Sequence, residues 1–171
     1  MTNEGGNEMD HFYEQLVTTY KTGFYRIINA TSIVFALIGM SAISMNLIFA
    51  IGSFGVAGAC FFYKRNLFVE YEYQFTNGEV DIEKILEMKK RSRVTTFHIK
   101  QVGLLAPEGS DAVKNYHNKP SVIVKCFPAT AEEKVYVAMV TEGNNKMQLR
   151  FIPDEKFLEH CFKYNPKAVK R

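Results

Sequence analysis

At 171 residues and a formal charge of +3, the chain has room for one small domain beside other elements, and it is too weakly basic to point to nucleic acid. Its three cysteines, Cys60, Cys126 and Cys161, have no CxxC spacing, which argues against a disulfide framework or a zinc knuckle and suits reduced thiols in a cytoplasmic setting. Charge is unevenly spread: residues 1–26 carry 2 Lys/Arg against 4 Asp/Glu, residues 27–63 carry neither, and residues 64–171 carry 19 against 14.

Residues 1–8 are polar and contain two glycines, so they are expected to be a disordered extension. In the arm 9–26, Phe12, Tyr13, Leu16, Val17, Tyr20 and Phe24 recur at helical spacing, with Asp10, Glu14, Thr18 and Lys21 between them. That pattern predicts an amphipathic helix lying in the membrane interface. Docking of the same arm against the C-terminal domain fits the pattern equally well.

From Ile27 to Tyr63 the chain runs 37 residues without Asp, Glu, Lys, Arg or His. One straight helix of that length would reach about 55 Å, against a hydrocarbon core of roughly 30 Å. Two spans of about 17 residues fit instead, Ile27–Ile43 and Leu47–Tyr63, with the turn at Ser44-Met45-Asn46. A soluble core hairpin would show a charge on some helical face, and neither half does. Lys21 and Arg26 precede the run and Lys64 and Arg65 follow it, while the turn is uncharged. The Lys/Arg bias of cytoplasmic flanks then predicts a two-pass plasma-membrane protein with both termini cytoplasmic. Tyr20, Tyr25 and Tyr63, with Phe24, Phe61 and Phe62, would anchor the shared interface. Small residues crowd the second span, and Gly52, Gly55 and Ala59 are expected to pack against another helix. Two partners remain open for them: the first span, through Ala36 and Gly39, or another subunit, giving a homo-oligomer.

The segment 64–171 reads as strands closed by a helix. Val69, Tyr71, Tyr73 and Phe75 alternate with Glu70, Glu72, Gln74 and Thr76, and Asn77-Gly78 supplies the two residues that a type I′ hairpin turn requires. That turn opposes Phe75 to Val80, Tyr73 to Ile82 and Val69 to Leu86. Further strands are expected at Arg93–Ile99, Val102–Leu105, Ser121–Phe127, Lys134–Thr141 and Met147–Ile152, with a turn at Glu142-Gly143-Asn144-Asn145. After Ile152 the period changes: Pro153 suits a first helical turn, Asp154 and Glu155 complement its dipole, and Asn165-Pro166 stops it. An antiparallel sheet of six or seven strands closed by one C-terminal helix is a pleckstrin-homology (PH)-like half-barrel. The fold class expected is α+β, a transmembrane helical hairpin followed by that cytoplasmic domain over 64–171.

Three stretches also resemble an uncharacterised family of small bacterial membrane proteins. They are Tyr71-Glu72-Tyr73-Gln74-Phe75-Thr76-Asn77-Gly78-Glu79-Val80-Asp81-Ile82-Glu83-Lys84-Ile85, Met9 to Val17, and Phe151 to Lys156 with the closing Tyr164-Asn165-Pro166-Lys167. The resemblance covers the chain from Met9 and implies a protein anchored in a bacterial plasma membrane. Members begin at the methionine matching Met9, which makes residues 1–8 an extension. The family offers no active site to carry over.

Chemistry-bearing motifs are sparse. His11, His98, His117 and His160 are scattered, and His160 beside Cys161 diverges from it by about 100° on a helix, so no metal site is expected. Asp81 and Glu83 share the strand face opposite the apolar set and read as solvated. The sequence contains no G-x-S-x-G, P-loop or dinucleotide-binding motif. No catalytic residue, cofactor or metal is therefore expected. The cluster Lys89, Lys90, Arg91 and Arg93 reads as a basic loop that the first hairpin returns to headgroup level, where each cation contributes about 1 kcal/mol. A solvated turn that merely supports the topology accounts for the same residues. The first reading of function is an adaptor or accessory subunit of a membrane complex, with the bilayer and a membrane protein as partners. Its rival is a sensor of anionic headgroups acting through loop 89–93, and an enzyme comes third.

Overall fold

The computed structural model describes residues 12–117, 120–143 and 145–170, so the extension 1–8, His11 and Asn144 lie outside the described residues. In chain order come β1 (Phe12–Val17), α1 (Gly23–Ala42), α2 (Leu47–Arg65), β2 (Val69–Thr76), β3 (Glu79–Leu86) and β4 (Lys90–His98). A single 3₁₀ turn (Ile99–Gln101) leads to β5 (Val102–Pro107), α3 (Asp111–Lys114), β6 (Val122–Lys125), β7 (Tyr136–Glu142), β8 (Asn145–Phe151) and α4 (Glu155–Tyr164). The described residues form two compact units, a helical one from 18–70 and 85–91 and a sheet unit from 12–17, 71–84 and the described part of 92–170.

Two capped helices make the helical unit. The Thr22 hydroxyl accepts from the Tyr25 amide at 3.2 Å and starts α1, and Asn46 Oδ1 accepts from the Phe49 amide at 3.1 Å and starts α2. Both helices are long and apolar enough to cross a membrane. Their large side chains point outward, with Ile48 83% and Phe49 59% exposed, whereas the buried seam is small: Ser32, Gly39 and Ala42 against Ala50, Ser53 and Ala57. The Ser32 hydroxyl donates to the Ala57 carbonyl at 2.9 Å across that seam. Such large-out, small-in packing is consistent with membrane spans, where lipid solvates the outer face and small residues let backbones approach. Of the two partners left open for Gly52, Gly55 and Ala59, the first span is not the one they meet. Gly52, Gly55 and Ala59 are exposed, and a Cβ added at Gly52 or Gly55 would meet nothing within 4 Å. The seam runs instead through Ala50, Ser53 and Ala57, at spacings of three and four that lie on one helical face.

The sheet unit holds the large aromatic core. Two four-stranded sheets have the orders β1-β2-β3-β4 and β5-β7-β8-β6. Asn77 (φ 51°) and Gly78 (φ 94°) form the β2–β3 turn with positive φ at both positions, the type I′ geometry that matches strand twist. At the far end of the same hairpin Glu87 N donates to Phe68 O at 3.0 Å, the pairing that a two-residue turn at Asn77-Gly78 dictates. Tyr73, Phe75, Phe151 and Phe157 are fully buried and meet edge to face at 5.5–6.1 Å. The Tyr73 hydroxyl donates to the Cys126 carbonyl and accepts from the Ile152 amide, joining the ends of β6 and β8. Asp154 caps α4 by accepting from the Phe157 amide at 2.8 Å, and Pro153 lies one residue before that cap rather than in the first turn.

Two expectations are overturned. The arm 9–26 is not an interfacial helix over Phe12–Val17. That segment is the edge strand β1, antiparallel to β2, with Tyr13 opposite Phe75 and Val17 opposite Tyr71. Six residues satisfy both periods, and the free edge of β2 decides between them by offering backbone partners. Tyr13 and Gln15 then reach the start of α4: Tyr13 donates to the Asp154 carboxylate at 2.5 Å, and Gln15 bonds both Ile152 O and Asp154 N at 2.9 Å. This is docking, the second of the two readings open for the arm. The strands are not all antiparallel either, because β8 inserts between β7 and β6 and pairs with β6 in parallel. Beyond the expected strand at Val102–Leu105, the chain forms the one-turn helix α3, and Ala112 and Val113 from it, with Tyr116 just after it, cover a patch of Leu104, Ala106, Val137 and Met139.

Candidate functional site

The basic cluster is not one loop. Lys89 N donates to Leu86 O at 3.0 Å, closing a tight turn in which Glu87 (φ 49°) and Met88 (φ 58°) are both left-handed. Strand β4 starts at Lys90, so Lys90 alternates in direction with Arg91 and Arg93. Arg93 lies 3.8 Å from Asp81, which also accepts from the Thr96 hydroxyl. Asp81 is therefore engaged on the sheet rather than simply solvated. Lys89, one of the four cations named, lines a pocket.

That pocket, of about 290 Å³, belongs to the helical unit and lies where α1 begins and α2 ends. Lys21, Lys64 and Lys89 bring three cations to it, and Tyr25, Phe61 and Phe68 give it aromatic walls. The Thr22 cap fixes Tyr25 in the first turn of α1, 6.2 Å from Phe68. Lys21 Nζ sits 5.7 Å from the Tyr25 ring centre and 6.0 Å from that of Phe68, and Lys64 Nζ sits 4.5 Å from that of Phe61. Lys64 also donates to Asn29 Oδ1 at 2.7 Å, which holds it between the two helices. The one carboxylate lining the pocket, Glu87, is 3.5 Å from Arg65. The cavity therefore keeps a net positive charge. Of the expected interface anchors, Tyr25 is in this wall, while Tyr20 (60%) and Tyr63 (54%) are exposed.

A second feature belongs to the sheet unit. Strand β5 has its outer edge covered: Leu105 N donates to Ala168 O at 2.9 Å, and Lys170 N donates to Leu105 O at 2.7 Å. Strand β6, at the other edge of the same sheet, has no strand beyond it among the described residues. Its Val122 and Ile123 are 56% and 62% exposed. A groove of about 380 Å³ separates it from β4, the terminal strand of the other sheet, with Thr95, Thr96 and Phe97 on one wall and Ser121 and Val122 on the other. The sheet unit is open along this seam.

The titratable side chains in the sheet unit serve structure. Burial pushes the Cys126 and Cys161 thiols up to about 12. The Tyr13 hydroxyl, held by Asp154, is raised to about 12, and desolvation raises Tyr73 well above the usual phenol range. His98 Nδ1 accepts from the Lys100 amide at 3.2 Å in capping the 3₁₀ turn, while His160 stacks on Tyr13 at 5.5 Å. His117 is exposed. Among the described residues no cluster of His, Cys, Asp and Glu has metal-binding geometry. Neither the pocket nor the groove was foreseen. Lys21 and Lys64 stood out in the sequence only as flanks of the apolar run, and β6 only as one strand among several.

The chain belongs to the family described as Bacterial PH-like domain (DUF6106), which it matches over residues 9–171. No curated protein and no solved structure matches it.

Proposed function

We propose that this bacterial PH-like protein is a membrane-anchored adaptor, whose sheet unit takes up an extended segment of a partner in a membrane complex. The hairpin α1–α2 is its anchor, and the cations at the open end of the hairpin (Lys21, Arg26, Lys64 and Arg65) support an orientation with both termini in the cytoplasm. The observation that carries the adaptor reading is β6, an edge strand with exposed apolar side chains beside an open groove. Exposed edges are templates for strand addition, and proteins ordinarily blunt or cover them, as the C-terminal tail does for β5. An added strand gains main-chain hydrogen bonds along β6 and places alternate side chains in the groove. A binding module rather than a catalyst is in keeping with Cys126 and Cys161, which burial keeps protonated and unreactive at neutral pH.

A second reading, a sensor of anionic headgroups, draws on the lysine pocket and uses different residues. The exposed Gly52, Gly55 and Ala59 face supports association of α2 with a second copy.

A photo-crosslinking residue at Ile123, in the full chain in native membranes, tests the adaptor reading. One discrete partner should be captured at Ile123, none at exposed Glu159 on α4, and the Ile123 product should vanish in Val122→Lys. Capture at neither position would overturn the adaptor, and capture of a second copy at Ile123 would replace it with a self-assembling module.

A further inference from the structure

We propose that the pocket formed by Lys21, Lys64 and Lys89 is a phosphate site, built to hold the headgroup of an anionic phospholipid at the mouth of the anchor. Three ammonium groups converge on one cavity of about 290 Å³, and the carboxylate in its wall already faces Arg65. Lys64 is half-buried and Lys21 and Lys89 are exposed, so the three repel one another across partly screened space, and an anion among them relieves that repulsion. Their positions are held rather than incidental. Lys64 is tethered to Asn29, Lys21 lies over two rings, and Lys89 follows a closed turn. An ammonium has three N–H donors, so the one bond Lys64 gives to Asn29 leaves two for a ligand.

The turn itself adds an independent observation. Glu87 and Met88 are consecutive non-glycine residues with positive φ, and both line the cavity. Backbone in that region is disfavoured for L-residues and persists where surrounding structure imposes it, often at ligand sites. Here it delivers Lys89 to the pocket directly after the second strand of the hairpin.

The ligand chemistry follows from the walls. Phosphate oxygens accept from ammonium groups, while the rings of Tyr25, Phe61 and Phe68 suit the glycerol and first methylenes of a lipid better than bulk water. Both helix ends that carry these residues lie at one end of the apolar hairpin, where aromatic and basic side chains meet headgroups. A free phosphate monoester shares the anionic part of this chemistry and none of the apolar part. The choice of lipid as source rests on the hairpin being a membrane anchor. The phosphate site itself does not, and neither depends on β6.

Native mass spectrometry of the full chain in neutral detergent micelles gives the test, with phosphatidylglycerol, phosphatidylcholine, glycerol 3-phosphate and inorganic phosphate as probes. One phosphatidylglycerol should remain bound and phosphatidylcholine should not. The Lys21→Gln/Lys64→Gln/Lys89→Gln variant should bind roughly 100-fold more weakly, at roughly fivefold per cation. A charge-matched control on exposed positions elsewhere, Lys156→Gln/Lys163→Gln/Lys167→Gln, should stay within threefold, and the triple Lys→Arg variant of the pocket should bind within tenfold of the native chain. Retained binding by the arginine variant separates loss of charge from loss of fold. Tighter binding of glycerol 3-phosphate or inorganic phosphate than of phosphatidylglycerol would keep the phosphate site and overturn the lipid as its ligand. Equal loss in the control, equal binding of phosphatidylcholine, or failure of the arginine variant would overturn the proposal.

Discussion

The two units of this chain are packed in opposite senses. In the sheet unit the largest side chains, Tyr73, Phe75, Phe151 and Phe157, are buried, and most charges occupy the surface, with Glu72 a buried exception. Within α1 and α2 of the helical unit the buried residues are Ser32, Gly39, Ala42, Ala50, Ser53 and Ala57, while Leu37, Ile48, Phe49 and Ile51 face outward. The pattern in the helices is consistent with membrane spans, whose packing differs from that of a water-facing core. Water drives large apolar groups inward, whereas lipid tails leave association to close contact between small surfaces. The contrast predicts that the same kind of substitution has opposite consequences in the two units.

The sharpest form of that comparison removes a large side chain from each. Phe157→Ala empties the centre of the aromatic core and should cost about 3–5 kcal/mol, seen as a large fall in the melting temperature of the full chain in detergent by near-ultraviolet circular dichroism. Ile48→Ala, at a side chain 83% exposed, should change the same melting temperature by an amount equivalent to less than about 0.5 kcal/mol. A comparable loss from both would show that α2 is a soluble core helix.

Adding bulk reverses the ranking inside the helical unit. A Cβ at Gly39 would come within 3.1 Å of the Phe54 ring, so Gly39→Leu should force the helices apart at about 1–3 kcal/mol. Gly55→Leu meets nothing within 4 Å and should be neutral. Cysteines at Ser32 and Ala57 report the seam: oxidative crosslinking between them should drop in the Gly39 variant and persist in the Gly55 variant.

Turn glycines sharpen the picture in the sheet unit. At Gly78 a side chain meets φ 94° and, in addition, a Tyr164 ring carbon 2.7 Å away, so Gly78→Val should cost at least about 1–3 kcal/mol. Gly143, with φ 58° and open space around it, carries only the conformational term, about 1–2 kcal/mol for Gly143→Ala. Thermal unfolding of the two variants should rank them in that order.

At neutral pH the smallest effect belongs to the buried thiols, and it grows only in alkali. Cys126 and Cys161 rise from the usual 9.0 to about 12 on folding, because burial penalises the thiolate. A pKa raised in the folded state contributes stability that is complete below the unfolded value and lost as pH climbs to the folded one. The melting temperature should therefore hold up to about pH 9 and fall between 9 and 12, with Tyr13 adding to the fall above 10. At pH 8 a thiol reagent should modify half-buried Cys60 before either buried cysteine.

Much of this arrangement can be read from the residues. An uncharged run of twice the bilayer thickness allows little except a hairpin, and Asn46 ends the turn because it caps α2. Asn77-Gly78 and the Asp154 cap likewise carry local signals strong enough to set their own geometry. The misreadings share one cause, tertiary partners that no local pattern records. Phe12–Val17 is a strand because β2 has a free edge, and β6 runs parallel to β8 because a later strand inserts beside it. Glu87-Met88 forms a left-handed turn without Gly or Asn, so nothing in its sequence marked it. The lysine pocket draws on residues 21, 64 and 89, and only the folded chain brings them together.

The claim on which the rest depends is that the unit with small residues inside lies in the bilayer and the unit with large residues inside lies in the cytoplasm. Single cysteines at Ser44, in the hairpin turn, and at Glu159, exposed on α4, report it directly in intact cells treated with a membrane-impermeant thiol reagent. The native chain serves as the blank. Ser44→Cys should be labelled from outside, and Glu159→Cys should be labelled only after the membrane is opened. Labelling of Glu159→Cys in intact cells, with Ser44→Cys protected, would contradict this account.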